Sequence, residues 1–217
     1  MEVTRLLAIR HGETDWNVDG RVQGQLDIGL NDAGREQARR LAQALADNEP
    51  IDRIYSSDLR RALDTARTVA EVTGAPLTPT TALRERCFAD LQGRTFAEVA
   101  VSDPELSERW RHRQPDWTPP GPGGESLLAF RERITQAVQA LAAENIGKNV
   151  ALITHGGVLD VLYRAATGLG LQDTRTWRIG NTAINRLLWT PDNGLSLIGW
   201  ADDTHLETRA LDENALK

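Results

Sequence analysis

Short apolar runs alternate along this chain with segments whose apolar positions recur at helical spacing. Leu6-Leu7-Ala8-Ile9 is a continuous apolar run, long enough for a buried strand. A polar loop follows, passing Gly20, Gly24 and Gly29. Asn31 then reads as an N-cap, because its side-chain oxygen can accept from the amides that a helix start leaves unpaired. The helix it opens spans residues 34–48, with Ala38, Leu41, Ala42 and Leu45 on one face. Residues 51–55 form a second expected strand. Ser57 or Asp58 is placed to cap a helix running to about Thr73, which Gly74 and Pro76 end. Residues 77–80 suggest a short third strand.

Residues 85–125 are the least regular part. Short helices are expected near residues 95–100 and 104–113, and Pro115, Pro119, Pro120 and Pro122 make a stiff connection. Ser126 starts a long helix to about Glu144. Residues 150–154 read as a strand and 157–167 as a helix. Residues 182–190 and 195–201 alternate as strands do, joined by a turn at Pro191-Asp192-Asn193-Gly194. The last residues are expected to fray. Strands followed by helices imply a mainly parallel central sheet covered on both faces, to which the last hairpin adds an antiparallel edge. No repeat, low-complexity tract or linker divides the chain, so residues 1–217 are expected to form a single domain.

Composition narrows the functional classes. The formal net charge of -6 argues against a nucleic-acid surface, yet leaves room for a local basic pocket that takes a small anion. The single cysteine, Cys87, has no partner for an internal disulfide. The first residues lack the pattern of a signal peptide, and no apolar run approaches the roughly 20 residues of a membrane span. The expectation is a cytoplasmic protein without a membrane partner.

Ligands of such sheets sit beyond the carboxyl ends of the strands. His11 and His155 each stand just after an apolar strand and just before a glycine, so parallel neighbouring strands would bring both imidazoles to one edge. The glycines let the backbone turn sharply and approach a ligand closely. His155-Gly156-Gly157 also opens a helix, whose first amides favour an anion. Arg10 adjoins His11. Arg60 and Arg61 lie on the first turns of the helix after the second strand, and Asn17 lies in the loop after the first. Arginine matches phosphate oxygens in bidentate fashion. A neutral imidazole can attack phosphorus, and the transfer depends mostly on positioning and charge stabilisation, which arginines and a second histidine supply without a metal. Glu85, in Leu83-Arg84-Glu85-Arg86, is the candidate proton donor to the leaving oxygen and base for the incoming water.

Each residue also has an ordinary role open to it. Strand-end histidines are commonly structural, paired arginines often form a solvated helix face, Asn17 suits a turn, and Glu85 lies in a charged run. His112 and His205 are assigned to the surface and Cys87 to packing. Trp110 and Trp117 flank the irregular segment, where they either line a substrate cap or cover the core.

Taken together, these stretches resemble the histidine phosphatase superfamily, the family of cofactor-dependent phosphoglycerate mutase. Arg10-His11-Gly12-Glu13-Thr14-Asp15-Trp16-Asn17 is similar to its signature, and residues 24–31 to the segment that follows. Ser56-Ser57-Asp58-Leu59-Arg60-Arg61-Ala62, Leu83-Arg84-Glu85, Gly123-Gly124-Glu125-Ser126 and Thr154-His155-Gly156-Gly157 resemble the remaining motifs in order. The resemblance implies a three-layer α/β/α sandwich with a capping segment at about residues 88–122. It implies His11 as the phosphorylated nucleophile, with Arg10, Arg61 and His155 completing the phosphate pocket. Arg61 is chosen over Arg60 because the family's arginine directly precedes alanine. Asn17 would contact phosphate, Glu85 would be the proton donor, and Gln23, Gly24 and Gly156 fall at substrate or phosphate positions. The family commonly has glycine after the aromatic residue beyond the acid; here Phe88 is followed by Ala89.

Phosphatases and mutases of this kind share the phosphohistidine and differ in its acceptor. The glycolytic mutases are typically longer, with a larger insertion and a tail that help enclose the site. Here the stretch from Glu85 to Gly123 is short, the residues after Ala201 are few and polar, and Gln23-Gly24-Gln25 looks like the phosphatase branch. A phosphatase for a small phosphorylated metabolite is therefore expected, with mutase as the alternative and a non-catalytic binding module as a minor one. No cofactor is expected, 2,3-bisphosphoglycerate serving as primer only for a mutase. A homodimer is compatible with the sequence.

Overall fold

A computed structural model describes residues 2–207. Its centre is a six-stranded sheet in the order β3-β2-β4-β1-β5-β6. The strands are β1 (Thr4–Arg10), β2 (Arg53–Ser57), β3 (Leu77–Thr80), β4 (Asn149–Thr154), β5 (Ile184–Thr190) and β6 (Gly194–Asp202). The first four are mutually parallel, β5 is antiparallel to β1, and β6 is antiparallel to β5. The helices are α1 (Asp15–Val18), α2 (Asp32–Asn48), α3 (Arg60–Thr73), α4 (Phe96–Ser102), α5 (Pro104–Arg111), α6 (Leu127–Ala143) and α7 (Gly156–Thr167).

Alternation along the strands creates the layers. Leu7, Ile9, Ala151 and Ile153 pack with Leu41 and Leu45 of α2 and Ala62 and Val69 of α3. Their neighbours Leu6, Ala8, Val150 and Leu152 face the opposite way, against Phe130 and Ile134 of α6 and Val158 and Leu162 of α7. Burial on both faces explains why β1 and β4 read as unbroken apolar runs. The result is a three-layer α/β/α sandwich. Truncating one of these fully buried leucines to alanine removes roughly 2–5 kcal/mol.

The helix starts show where local signals suffice. Asn31 Oδ1 accepts from Gly34 N at 2.8 Å, and Ser126 Oγ from Ala129 N at 3.1 Å, so both caps stand where expected. Thr95 caps α4 in a reciprocal box with Glu98. Gly74 ends α3 in the left-handed region, at φ 72. The start of α3 is different from expectation. Its N-cap is Leu59, which has no side-chain acceptor. Ser57 Oγ accepts from Leu59 N, one step too early, and Asp58 is held by Arg84 through two bonds of 2.7 and 2.6 Å. The first amide of α3, Arg60 N, is instead satisfied by Asp27 Oδ1 from a distant loop at 2.6 Å.

Past Ala201 the chain remains regular for a few residues. β6 continues to Asp202 and a 3-10 turn occupies Thr204–Leu206, whose last carbonyl accepts from Arg40. The fraying expected of the last residues, where it falls on 208–217, lies outside the described residues. His205 is half-buried rather than at the surface, and burial lowers its pKa. His112 is exposed. Among the described residues, no helix is long and apolar enough to cross a membrane.

Candidate active site

β1 and β4 are parallel neighbours whose register ends with Arg10 opposite Thr154. His11 and His155 therefore leave adjacent strand ends together, and their rings lie 5.2 Å apart. Both are almost fully buried. The tight exit from β1 requires Gly12: a Cβ there would stand 2.5 Å from the carbonyl oxygen of Gly34. This close approach packs the His11 loop onto the start of α2, while Gly12 N donates to Thr65 Oγ1 at 3.0 Å.

The bonds of His11 define its tautomer. Nδ1 is 2.7 Å from the Gly12 carbonyl oxygen, an acceptor only, so Nδ1 carries the proton. Nε2 keeps its lone pair and accepts from Arg61 Nε at 3.2 Å. Burial pushes the His11 pKa well below the ordinary imidazole value, and the charges of Arg61 and Arg10 push it further. His155 is lowered well below its ordinary value in the same way, by burial first and then by Arg61, His11 and Arg10. Both imidazoles are neutral near pH 7. Neither ring nitrogen of His155 has a hydrogen-bond partner among the described residues.

The two adjacent arginines separate cleanly. Arg61 is 1% exposed and uses its remaining nitrogens on the carbonyls of Leu26 and Gly24, at 2.9 and 2.7 Å. Burial brings its pKa down to about 10, still cationic at neutral pH. Arg60 points outward and pairs loosely with Asp64 of its own helix. Arg10 donates to Ile179 O at 3.0 Å, and its buried Nε has no partner. Burial lowers the Arg10 pKa, partly offset by Glu85. Asn17 Oδ1 accepts from Thr14 N at 3.2 Å and from Asn181 Nδ2 at 3.3 Å, which leaves Nδ2 as its uncommitted donor.

Glu85 closes the ring of groups. Its Oε1 accepts from Arg86 N at 2.8 Å and its Oε2 from Gly157 N at 2.9 Å. The α7 amide that sequence reasoning reserved for an anionic ligand is thus spent partly on this carboxylate. Gly157 is required for the contact, since a Cβ there would fall 2.2 Å from Glu85 Oε1. A cavity of about 190 Å³ is lined by Arg10, His11, Asn17, Gln23, Arg61 and Glu85, with Gly24 and Gly156 on its wall. Gln23 is buried and its Oε1 has no partner. His155 does not line this cavity directly; it lies behind, against the His11 ring.

A second cavity of about 220 Å³ shares Glu85, Phe88 and Gly156 with the first. Trp110 and Trp117, from the irregular segment, form part of its wall, and Trp110 also packs against Phe88 and Phe96. Other participants were not found from sequence. Asn181 donates to the His11 carbonyl at 2.9 Å from a loop 170 residues away, and nothing local marks it. Arg133 of α6 binds both oxygens of Glu125 and donates to the carbonyls of Ala82, Arg84 and Glu85, so it braces the segment that carries Glu85. Its position about two turns beyond the Gly123-Gly124-Glu125-Ser126 motif was the available signal.

A mainly parallel α/β sheet that gathers two neutral histidines, two arginines and a carboxylate at its carboxyl edge defines a class: α/β enzymes of phosphate chemistry. The family model for the histidine phosphatase superfamily (branch 1) matches residues 6–203, and the chain belongs to that superfamily. It is 36% identical over 208 residues to phosphoglycerate mutase-like protein 4 of Arabidopsis thaliana, covering 95% of this chain and 89% of that protein. It is equally identical over 208 residues to the metal-independent phosphoserine phosphatase of the same plant, covering 95% and 85%. Among solved structures, that of the mycobacterial glucosyl-3-phosphoglycerate phosphatase superposes with a TM-score of 0.80 at 34% identity, over 92% of this chain and 99% of the other.

Proposed function

We propose that this enzyme hydrolyses small phosphate monoesters through a phosphohistidine formed on His11 Nε2. The observation that carries the reading is the neutral His11, its Nε2 lone pair held at a cavity walled by Arg10 and buried Arg61 with Glu85 beside them. In the first step Nε2 attacks phosphorus as the bond to the ester oxygen breaks, and Glu85 gives that oxygen a proton. In the second step water attacks phosphorus, Glu85 takes its proton, the P–N bond breaks, and inorganic phosphate leaves. Arg10, Arg61 and Asn17 Nδ2 stabilise the equatorial oxygens, and His155 backs the His11 ring from behind. Arg61 Nε, which donates to the Nε2 lone pair at 3.2 Å, turns to a phosphate oxygen and frees the nucleophile. Residues 88–122 act as a cap within a single domain, and no metal takes part. The names of the relatives, two phosphatases of small phosphorylated acids and one of them metal-independent, support this reading.

The mutase alternative rests on the relative named phosphoglycerate mutase-like. One experiment separates the two. The chain is incubated with 3-phosphoglycerate plus 2,3-bisphosphoglycerate, and in parallel with a panel of phosphate esters, each with and without a chelator. Phosphate release that survives chelation is expected. Rapid formation of 2-phosphoglycerate without free phosphate sinks the phosphatase reading, and loss of activity with the chelator sinks the metal-free mechanism.

A further inference from the structure

The second cavity carries an excess of positive charge that the transfer chemistry does not use. Arg86, Arg113 and Arg175 all line it, beside Glu85 and Asp160. Their remaining bonds tell them apart. Arg86 is a brace: it donates to the Glu125 and Trp117 carbonyls and lies over the rings of Phe88 and Trp117, at 5.1 and 5.8 Å. Asp160 is neutralised twice, by Arg164 at 3.0 Å and by Arg113 at 2.6 Å. Arg113 uses Nε on Leu171 O and one terminal nitrogen on Asp160, which fixes the plane of its guanidinium and leaves the other terminal nitrogen uncommitted. Arg175, on the loop between α7 and β5, makes no ion pair or hydrogen bond among the described residues, yet its charge reaches Arg10 in the first cavity.

The backbone at Arg113 is a second, independent observation. Arg113 follows the C-cap of α5 with φ 50, the left-handed position that glycine occupies at least cost. An arginine is held there against its conformational preference, and its side chain reaches the cavity. Strain of this kind points toward function.

We propose that Arg113 and Arg175 form a second anion subsite, so that the preferred substrates are phosphate monoesters whose alcohol part carries a carboxylate. The subsite rests on the phosphatase reading and extends it to substrate selection. The phosphoryl group occupies the cavity of His11, Arg10 and Arg61. The alcohol part passes Glu85, where its oxygen is protonated, and enters the second cavity. The two guanidiniums there meet the carboxylate, while the aromatic wall of Trp110 and Trp117 covers the carbon skeleton. Each bond from guanidinium to carboxylate is charge-assisted, and so stronger than one between neutral groups. An uncharged alcohol part leaves Arg175 and the free terminal nitrogen of Arg113 without an acceptor.

The test uses the full chain and steady-state kcat/KM for two substrates, O-phospho-L-serine and p-nitrophenyl phosphate. The readout is the ratio of the first to the second. In Arg175→Gln the ratio should fall about 10- to 100-fold, as expected for losing a hydrogen-bonded charge from a binding site. Arg113→Gln should give a fall of the same direction, and Arg113→Lys a smaller one. Arg113→Gln alters the partner of a buried carboxylate and is prone to misfold; exposed, unpaired Arg175 carries no such risk. An unchanged ratio in Arg175→Gln overturns the subsite, leaving Arg175 an ordinary solvated cation. A wild-type chain that releases phosphate from neither ester overturns the phosphatase reading itself, and the subsite with it.

Discussion

Arg61 Nε donates to His11 Nε2 at 3.2 Å, so the atom that must attack phosphorus is hydrogen-bonded by the group that must bind phosphate. The opposite nitrogen of the same ring is fixed by the Gly12 carbonyl at 2.7 Å. His11 is held in one tautomer from both sides, and its lone pair is released when Arg61 finds a better acceptor. Arg61 itself is anchored by the Gly24 and Leu26 carbonyls, which need the forked geometry of a guanidinium.

Arg61→Lys should therefore behave as a severe change. A lysine cannot hold two carbonyls and His11 Nε2 together, and it presents a point charge where a planar fork is required. Turnover should drop by about 10²-fold or more, while His11→Ala should remove both turnover and acid-labile phosphate incorporation. Rapid-quench labelling with a radioactive ester measures both. Labelling that persists in His11→Ala places the nucleophile elsewhere.

Gly157→Ala should act through Glu85. The new methyl would overlap Glu85 Oε1, which lies 2.2 Å from the ideal Cβ position, and would break the bond from Gly157 N that orients the carboxylate. General acid assistance is worth roughly 10²–10⁴ in rate. The loss should be large for an alkyl phosphate, whose leaving oxygen needs the proton, and much smaller for p-nitrophenyl phosphate, whose leaving group does not. Glu85→Gln should reproduce this contrast. Equal losses on both esters in either variant would show that Glu85 is not the acid.

Legibility in the sequence followed the range of the interaction. Leu6–Ile9 and Val150–Ile153 were readable as strands because burial on both faces leaves an unbroken apolar run. Asn31, Ser126 and Gly74 were readable because caps act within a few residues. The start of α3 was not, because its first amide is satisfied by Asp27, 33 residues earlier. The pairing of His11 with His155 followed from a strand-end rule once the two strands were taken as parallel neighbours. Asn181 and the Arg113–Asp160 pair followed no such rule. Each depends on where segments remote in sequence meet, at separations of 170 and 47 residues. The use of the Gly157 amide by Glu85 is of the same kind.

Ala89 offers a stability prediction. It follows Phe88 where the superfamily commonly has glycine, and its φ of 45 lies in the left-handed region. The alanine methyl makes that conformation unfavourable by roughly 1–2 kcal/mol, part of which glycine returns as unfolded-chain entropy. Ala89→Gly should stabilise the fold by about 0.5–1 kcal/mol, a rise of about 1–4 °C in Tm for a chain of this size. Differential scanning calorimetry reads it directly. A lower Tm would mean that the turn relaxes around alanine without strain.

The two buried histidines should make the protein progressively less stable as it is acidified. Their pKa values in the folded state are depressed well below 6.5, chiefly by burial and secondarily by Arg61 and Arg10. In the unfolded chain both return to the ordinary imidazole value of about 6.5. Below that pH the unfolded chain binds protons that the folded chain does not, so unfolding is favoured as pH falls. The stability they contribute is fully present above about pH 6.5 and is lost downward toward the folded pKa values. Each histidine contributes a slope of up to about 1.4 kcal/mol per pH unit. Urea unfolding at pH 7.5, 6.5, 5.5 and 5.0 should show ΔG declining through the last three points. In His155→Gln the slope over that window should be clearly shallower, because His155 no longer titrates while His11 and His205 still do. A bound phosphate analogue such as vanadate should flatten it further, since an anion in the site raises the folded pKa values toward those of the unfolded chain. An unaltered slope in His155→Gln would mean that the acid sensitivity arises outside this histidine pair.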